Sequence, residues 1–252
     1  PSFMDDPHKA GLMPTTAPQR TLILLVKFKN TLSLENSPYS QQNFAGFVFK
    51  DINDFYINNS YGKSWVSGPG WGSFGINEGG INDLYSVKID GNFDCNTFSV
   101  NQPPVIKNIL MNAADQNNGL LNKLRDTDRI IILSMDDSSN LDDDCIWNGI
   151  ALGVRGIKTP FEINGEIIKL TSTWAEISPT AGISLFTNIG GIQNKDDLKK
   201  VLAHEMGHNL GLMHTLYFYC QQVPDVKYLE DYRSLSCSTS SSLYDDKYDA
   251  MG

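Results

Sequence analysis

Residues 201–215 read V-L-A-H-E-M-G-H-N-L-G-L-M-H-T, and the rest of the chain is interpreted outward from this stretch. His204 and His208 are four residues apart, so on an α-helix their imidazoles project from the same side, one turn apart. Two neutral imidazoles at that spacing can bind a single Zn²⁺ ion. Asn194 or Asp196 can cap the start of such a helix.

Gly211 and His214 continue the pattern past the end of the expected helix. Glycine can adopt the left-handed conformation that turns the chain sharply after a helix. Such a turn can bring His214 round as a third zinc ligand. Three protein ligands leave a fourth position for water, which is typical of a catalytic zinc site.

Glu205 follows the first ligand directly and is the predicted catalytic residue. Zinc lowers the pKa of its bound water to about 7 and polarises a carbonyl group, so a nucleophile is available at neutral pH. Glu205 can take the water's proton as a general base and later return it to a leaving amine as a general acid. The motif therefore predicts hydrolysis with one catalytic Zn²⁺.

Histidine is scarce in this chain, which has four, and three of them lie in the motif. Histidines scattered through a core explain that clustering poorly. The fourth, His8, lies in a proline-rich lead-in that we predict to be extended over residues 1–20, and it is interpreted as a surface residue.

Apolar residues outside the motif alternate between strand-like runs and helix-like spacing. Strands are predicted over residues 21–28, 129–135, 146–154 and 167–177, with another at the start of the Gly-rich stretch 64–80. Helices are predicted over residues 41–61 and 103–114. This order predicts an α/β (α+β) catalytic domain over residues 21–252, in which the Ser-rich tract 234–242 forms an irregular surface loop.

Charge and hydropathy exclude two classes of function. The chain of 252 residues has 20 Lys and Arg against 29 Asp and Glu, and a net charge of −9 argues against a nucleic-acid partner. No apolar run approaches the roughly 20 residues that a transmembrane segment needs. The acidic stretch 136–144 could bind Ca²⁺, but it lacks the spacing and the glycine of an EF-hand, which favours a solvated loop.

The four cysteines fit no CxxC metal or redox pattern. Two disulfides, Cys220–Cys237 and Cys95–Cys145, are one interpretation, and four buried thiols in a cytosolic protein are the other. A glycosylation sequon occurs at residues 58–60, and the chain begins at Pro1 without an initiator Met. Together these features favour a processed, secreted protein.

The motif resembles the signature of the metzincin zinc peptidases, HExxHxxGxxH followed by a methionine turn. Residues 248–252, Y-D-A-M-G, are similar to that turn. The resemblance implies that His204, His208 and His214 bind zinc and that Met251 lies beneath them as an apolar base. It also implies a twisted mixed sheet with two long helices, one of them the active-site helix, beside a cleft.

Within the metzincins, the chain is most similar to the gametolysin family, with the immune inhibitor A-like peptidases as relatives. The similar stretches are D-F-Y-I-N-N-S-Y-G-K at residues 54–63 and C-I-W-N-G-I-A at residues 145–151. The resemblance implies secretion and a protein substrate bound antiparallel to an edge strand around residues 150–154. Because the family's C-terminal helix is not found after Gly252, we expect a domain truncated after the methionine turn.

The sequence therefore predicts a secreted or cell-surface zinc metalloendopeptidase whose substrates include extracellular-matrix or cell-wall glycoproteins. The alternative is a non-proteolytic surface or assembly scaffold that keeps the metal site for structure, and zinc-dependent hydrolysis of a non-peptide amide is a third reading. A degenerate scaffold would usually have lost Glu205 or a ligand, whereas all four residues are present. The oligomeric state is left open.

Overall fold

The structure is a computed structural model of the chain. It describes residues 13, 18–30, 41–68, 83–93, 101–135, 149–153, 156–177, 195–212, 218–220 and 237–239. The chain divides into two units, Pro1–Gly211 and Leu212–Gly252.

The first unit contains seven strands and a set of helices among its described residues. The strands are β1 (Pro18–Lys27), β2 (Trp65–Ser67), β3 (Leu84–Lys88), β4 (Arg129–Met135), β5 (Gly149–Leu152), β6 (Thr159–Ile163) and β7 (Glu166–Ile177). The helices are α1 (Gln41–Gly46), a π-helical segment (Phe47–Ile52), α2 (Asn53–Asn59), α3 (Gln102–Gln116), α4 (Leu120–Arg125) and α5 (Lys195–Asn209).

The described strands of the first unit form one mixed sheet, in the order β2-β1-β4-β7-β5. Strand β3 also pairs with β1, and β6 pairs with the first half of β7. The pairs among β1, β2, β3, β4 and β7 are parallel, whereas β5 and β6 run antiparallel to β7. The protein is therefore of the mixed α/β type that the sequence predicts.

The central strands are buried on both faces of the sheet. In β1, Leu22 and Leu24 pack on one side, and Ile23 and Leu25 pack on the other. Because successive side chains of a strand point to opposite faces, a continuous apolar run is what a strand covered on both sides requires. The apolar run of β4 is divided between the same two clusters.

Helices cover each face of the sheet and make three layers. The segment from α1 to α2 packs with α5 on one face, and α3 packs with α4 on the other. On the first face, α5 contributes Leu198, Leu202 and Met206 to the core. This layer holds the predicted site helix against the sheet.

The predicted helices over 41–61 and 103–114 are confirmed, although the first contains the π-helical segment in its middle. The predicted strands over 21–28, 129–135, 146–154 and 167–177 are confirmed as β1, β4, β5 and β7, and β2 opens the Gly-rich stretch. No helix in the described part of the chain is both long enough and apolar enough to span a membrane.

Two expectations about irregular structure need correction. Strand β1 begins at Pro18, inside the predicted lead-in, because residues 18–20 pair with β2. The Ser-rich tract contains strand β9 (Cys237–Thr239), which pairs antiparallel with β8 (Phe218–Cys220) in the second unit. The high serine content of this tract therefore does not prevent residues 237–239 from forming a β-strand. The acidic stretch 136–144, predicted to be a solvated loop, lies outside the described residues, as do Cys95 and Cys145.

Candidate active site

Helix α5 carries the first part of the predicted zinc motif, and its buried apolar residues fix which side of the helix faces the core. Leu198, Leu202 and Met206 are spaced by four residues and are buried. Since an α-helix turns by about 100° per residue, His204 and His208 fall on the side away from these buried residues. Both imidazoles are half-buried, which leaves part of each ring accessible.

The two histidine rings lie next to each other, as the spacing predicts. Their centroids are 4.7 Å apart, and the ring planes are inclined at 84°. Zinc binds imidazole nitrogens at about 2.0–2.1 Å, so two neighbouring rings on one helix face suit a shared ion. The described residues therefore fit two of the three predicted zinc ligands.

The end of α5 has the backbone conformation that the sequence predicts. The amide of Leu210 donates to the carbonyl oxygens of Met206 and Gly207, at 3.2 and 3.0 Å. The amide of Gly211 donates to the carbonyl oxygen of His208 at 3.0 Å. Gly211 then has a φ of +95°. This angle is accessible to glycine and strained for most other residues, so the helix ends where a glycine allows the chain to turn.

Glu205 lies between the exposed and core-facing sides of α5. Burial raises the pKa of its carboxyl group to about 7. A carboxyl group with this pKa exchanges a proton readily near neutral pH, which is the range expected of a general base. Glu205 directly follows His204 in the sequence, and both residues lie in the same helix.

Tyr56 connects helix α2 to the site helix. Its hydroxyl donates to the carbonyl oxygen of Ala203 at 3.1 Å, and the side chain is buried. Burial raises the pKa of the Tyr56 phenol to about 12, although the positive charge of Arg129 acts in the opposite direction. The phenol is therefore neutral, and it contacts α5 at the residue directly before His204.

Arg129 is a fully buried cation beneath the C-terminal end of α5. Its guanidinium donates to Asn209 Oδ1 at 3.2 Å, to Gln19 Oε1 at 2.7 Å and to the carbonyl oxygen of Met206 at 3.3 Å. Burial lowers the pKa of Arg129 to about 10, so the group stays charged at neutral pH. A cation near the negative end of a helix dipole is favourable.

Asn209 is the last residue of α5 and is completely buried. Its side-chain amide is hydrogen-bonded to strands β4, β5 and β7. Neither Asn209 nor Arg129 was predicted to belong to the site. For Asn209 a signal existed, because a helical projection places it beside the buried Leu202 and Met206.

His214 and Met251, the third predicted ligand and the methionine of the predicted turn, lie outside the described residues. Within the described ranges, no three His, Cys, Asp or Glu side chains are grouped so that they could hold a metal ion. The zinc site therefore remains a prediction for which the described residues supply two neighbouring imidazoles and one carboxyl group.

Comparisons with known proteins do not assign the chain to a family. No protein-family model matches it, and no curated protein matches it significantly.

Proposed function

We propose that this chain is the catalytic domain of a secreted zinc metalloendopeptidase of the metzincin type, related most closely to the gametolysin family. The observation that carries the proposal is the geometry of α5, where His204 and His208 have ring centroids 4.7 Å apart beside a half-buried Glu205. The left-handed Gly211 that follows supports it. His204, His208 and His214 would hold the metal, above Met251.

When bound, zinc would supply Lewis acidity that makes water nucleophilic at neutral pH and polarises the scissile carbonyl. Glu205 would receive the proton of the attacking water on a carboxylate oxygen. The carboxyl group would hold this proton until a leaving amine accepts it, acting first as a general base and then as a general acid. The products would be a carboxylate and an amine, as in peptide-bond hydrolysis.

Strand β5 supports a peptide as the substrate. It pairs with β7 over four residues, and among the strands that the structure describes it is the last of the sheet path on that side. An edge strand presents unpaired backbone groups that can bind an extended peptide as an added strand. Proteins or glycoproteins of the extracellular matrix or a cell wall are the substrates we propose.

Secretion is part of this proposal, and it would allow a disulfide in the second unit. Cys220 is paired with Cys237 across the β8–β9 ladder. Residues directly opposite in an antiparallel pair have Cα atoms about 4.5–5.5 Å apart, which is within the range for a disulfide. A Cys220–Cys237 disulfide belongs to this proposal, since such bonds persist in oxidising compartments.

The decisive experiment measures zinc content and proteolysis on the same preparation. We expect the wild-type chain to bind one zinc and to digest casein or gelatin, and a chelator to abolish the digestion. Glu205→Gln should lower the rate by about two to four orders of magnitude, because a general base is lost while the ligands remain. Its zinc content should equal that of the wild type.

Tyr61→Phe is the control, since Tyr61 is 93% exposed and lies outside α5. A wild-type chain with one zinc per molecule and no cleavage of denatured proteins would reject the peptidase and favour the scaffold. A Glu205→Gln variant with normal digestion would exclude Glu205 as the base.

A further inference from the structure

We propose that Asn209 is a positioning residue that sets edge strand β5 relative to helix α5 and thereby governs the binding of extended peptides. The inference rests on the proposed peptidase function and adds a determinant of substrate binding outside the zinc motif's ligands and base. Asn209 follows His208 directly, so it joins the end of the ligand-bearing helix to the sheet.

The side-chain amide of Asn209 uses its whole hydrogen-bonding capacity. Its Nδ2 donates to the carbonyl oxygen of Leu152 at 2.9 Å and to that of Ser172 at 3.2 Å. Its Oδ1 accepts from Thr173 Oγ1 at 2.8 Å and from Arg129 Nε at 3.2 Å. A buried amide with two donors and two acceptor sites filled has one well-defined orientation.

The Nδ2 contacts lie at the end of the β5–β7 ladder. Leu152 and Ser172 are opposite each other in that ladder, and they are its last pair. The amide therefore bonds to both strands at the point where their own pairing ends.

Strand β5 stops at this point because of the next residue, Gly153. Its φ is +82°, and a Cβ atom there would lie 2.7 Å from the carbonyl oxygen of Ile157 and 2.8 Å from a side-chain carbon of Thr171. This positive φ ends the extended conformation of β5 at a place where only glycine fits. At this end of β5, Asn209 adds a side-chain hydrogen bond to the backbone of Leu152.

A peptide added to β5 would inherit its position from that strand. The reacting carbonyl must then lie beside the ligands on α5, and a displacement of about 1 Å at a reacting centre can cost a hundredfold in rate. The Nδ2 arm of Asn209 fixes the relative position of these two elements. Loss of the Nδ2 bonds should therefore weaken the binding of long substrates more than that of short ones, because only long substrates extend along β5.

Two substitutions separate this role from a purely structural one. Asn209→Asp keeps an oxygen for Thr173 and Arg129 but places a second oxygen against the carbonyls of Leu152 and Ser172. Thr173→Val removes a bond to Oδ1 and leaves both Nδ2 bonds intact. Should Asn209→Asp not fold, Asn209→Ser removes the Nδ2 bonds, together with those to Oδ1, without adding charge.

The test compares the zinc-loaded wild-type chain, Asn209→Asp and Thr173→Val. For each, kcat and KM are measured on a fluorescence-quenched octapeptide taken from a casein cleavage site and on its four-residue core. We expect Asn209→Asp to raise KM for the octapeptide about tenfold, since one or two hydrogen bonds are each worth several-fold. KM for the four-residue peptide should change by less than about twofold, and Thr173→Val should raise KM for the octapeptide much less than Asn209→Asp does, because both Nδ2 bonds remain.

Absorption spectra of the cobalt-substituted proteins supply a readout that does not depend on activity. We expect identical spectra for all three proteins, because the ligands are unchanged. An altered spectrum in Asn209→Asp, or equal KM changes for both peptides, would overturn the positioning role while the peptidase proposal stands. A wild-type chain that binds zinc but cleaves neither peptide would reject the peptidase and this inference with it.

Discussion

Tyr56 carries a buried hydroxyl group whose titration is coupled to the stability of the fold. Its phenol has a pKa of about 12 in the folded protein, raised by burial, against about 10 in an unfolded chain. Below pH 10 the phenol is neutral in both states. Between pH 10 and pH 12 the unfolded chain loses this proton and the folded protein keeps it, so stability falls as the pH rises.

Tyr56→Phe isolates that contribution. At pH 8 the variant should be less stable by about 1 kcal/mol, because it loses the hydrogen bond to Ala203. From pH 10 the wild type should lose about 1.4 kcal/mol per pH unit through Tyr56 alone, so the difference should shrink and then reverse. Urea unfolding of both proteins from pH 8 to pH 11 measures it.

A stability difference between wild type and Tyr56→Phe that stays constant over this range would contradict the expectation. Tyr61→Phe is the matched control, because Tyr61 is exposed and follows the same helix. Its unfolding curves should follow those of the wild type at every pH.

Helix α5 depends on a single backbone conformation at its end, that of Gly211 with a φ of +95°. Gly211→Ala should cost about 1–2 kcal/mol, since a Cβ atom is unfavourable in the left-handed region. It should also weaken zinc binding, because His214 is proposed to reach the metal through this turn.

Gly165→Ala provides the control for backbone strain. Gly165 has a φ of +82° in the β6–β7 hairpin, and a Cβ atom there meets nothing within 4 Å. Both variants should lose similar stability in urea unfolding, but only Gly211→Ala should lose zinc affinity in a chelator competition. Equal zinc affinities would argue against His214 as a ligand reached through Gly211.

At the scale of elements, the sequence predicted the strands that are apolar throughout and the helices whose apolar residues lie on one face. The runs in β1 and β4 are apolar throughout because both faces are covered. Strands β3 and β6 were not predicted, since β3 contains the polar Ser86 and Lys88 and β6 contains Pro160. Their pairing partners on β1 and β7 decide their structure, and short amphipathic runs do not reveal them.

In the candidate site too, the features set by neighbouring residues were predicted, whereas the contacts between residues far apart in the sequence were not. The positions of His204 and His208 follow from spacing within one helix, and Gly211 marks where that helix ends, so the sequence predicts all three. The contacts of Arg129 with Asn209 and Gln19 join residues 80 and 110 positions apart. Such partners depend on strand order in the sheet, which a single sequence does not specify.

A buried ionic network centred on Asp128, in the turn before β4, connects distant parts of the first unit. Its carboxylate accepts bonds from the backbone amide and side chain of Arg20, and it forms an ion pair with Lys158. The Asp128 and Lys158 side chains are 0% and 2% exposed. This network joins the start of β1, the turn before β4 and the loop before β6.

Asp128→Asn should destabilise the protein by about 3–5 kcal/mol, because it leaves the Lys158 charge buried without its carboxylate. The double variant Asp128→Asn/Lys158→Met should recover most of that loss, since an apolar side chain needs no partner in the core. Urea unfolding of the four proteins of this cycle measures the coupling. Additive losses would show that Asp128 and Lys158 are not coupled. Glu166→Gln supplies a comparison, because it removes the ion pair between Glu166, which is 40% exposed, and Arg125, which is 49% exposed. The loss there should be much smaller, since solvent screens an exposed pair and rehydrates the remaining charge.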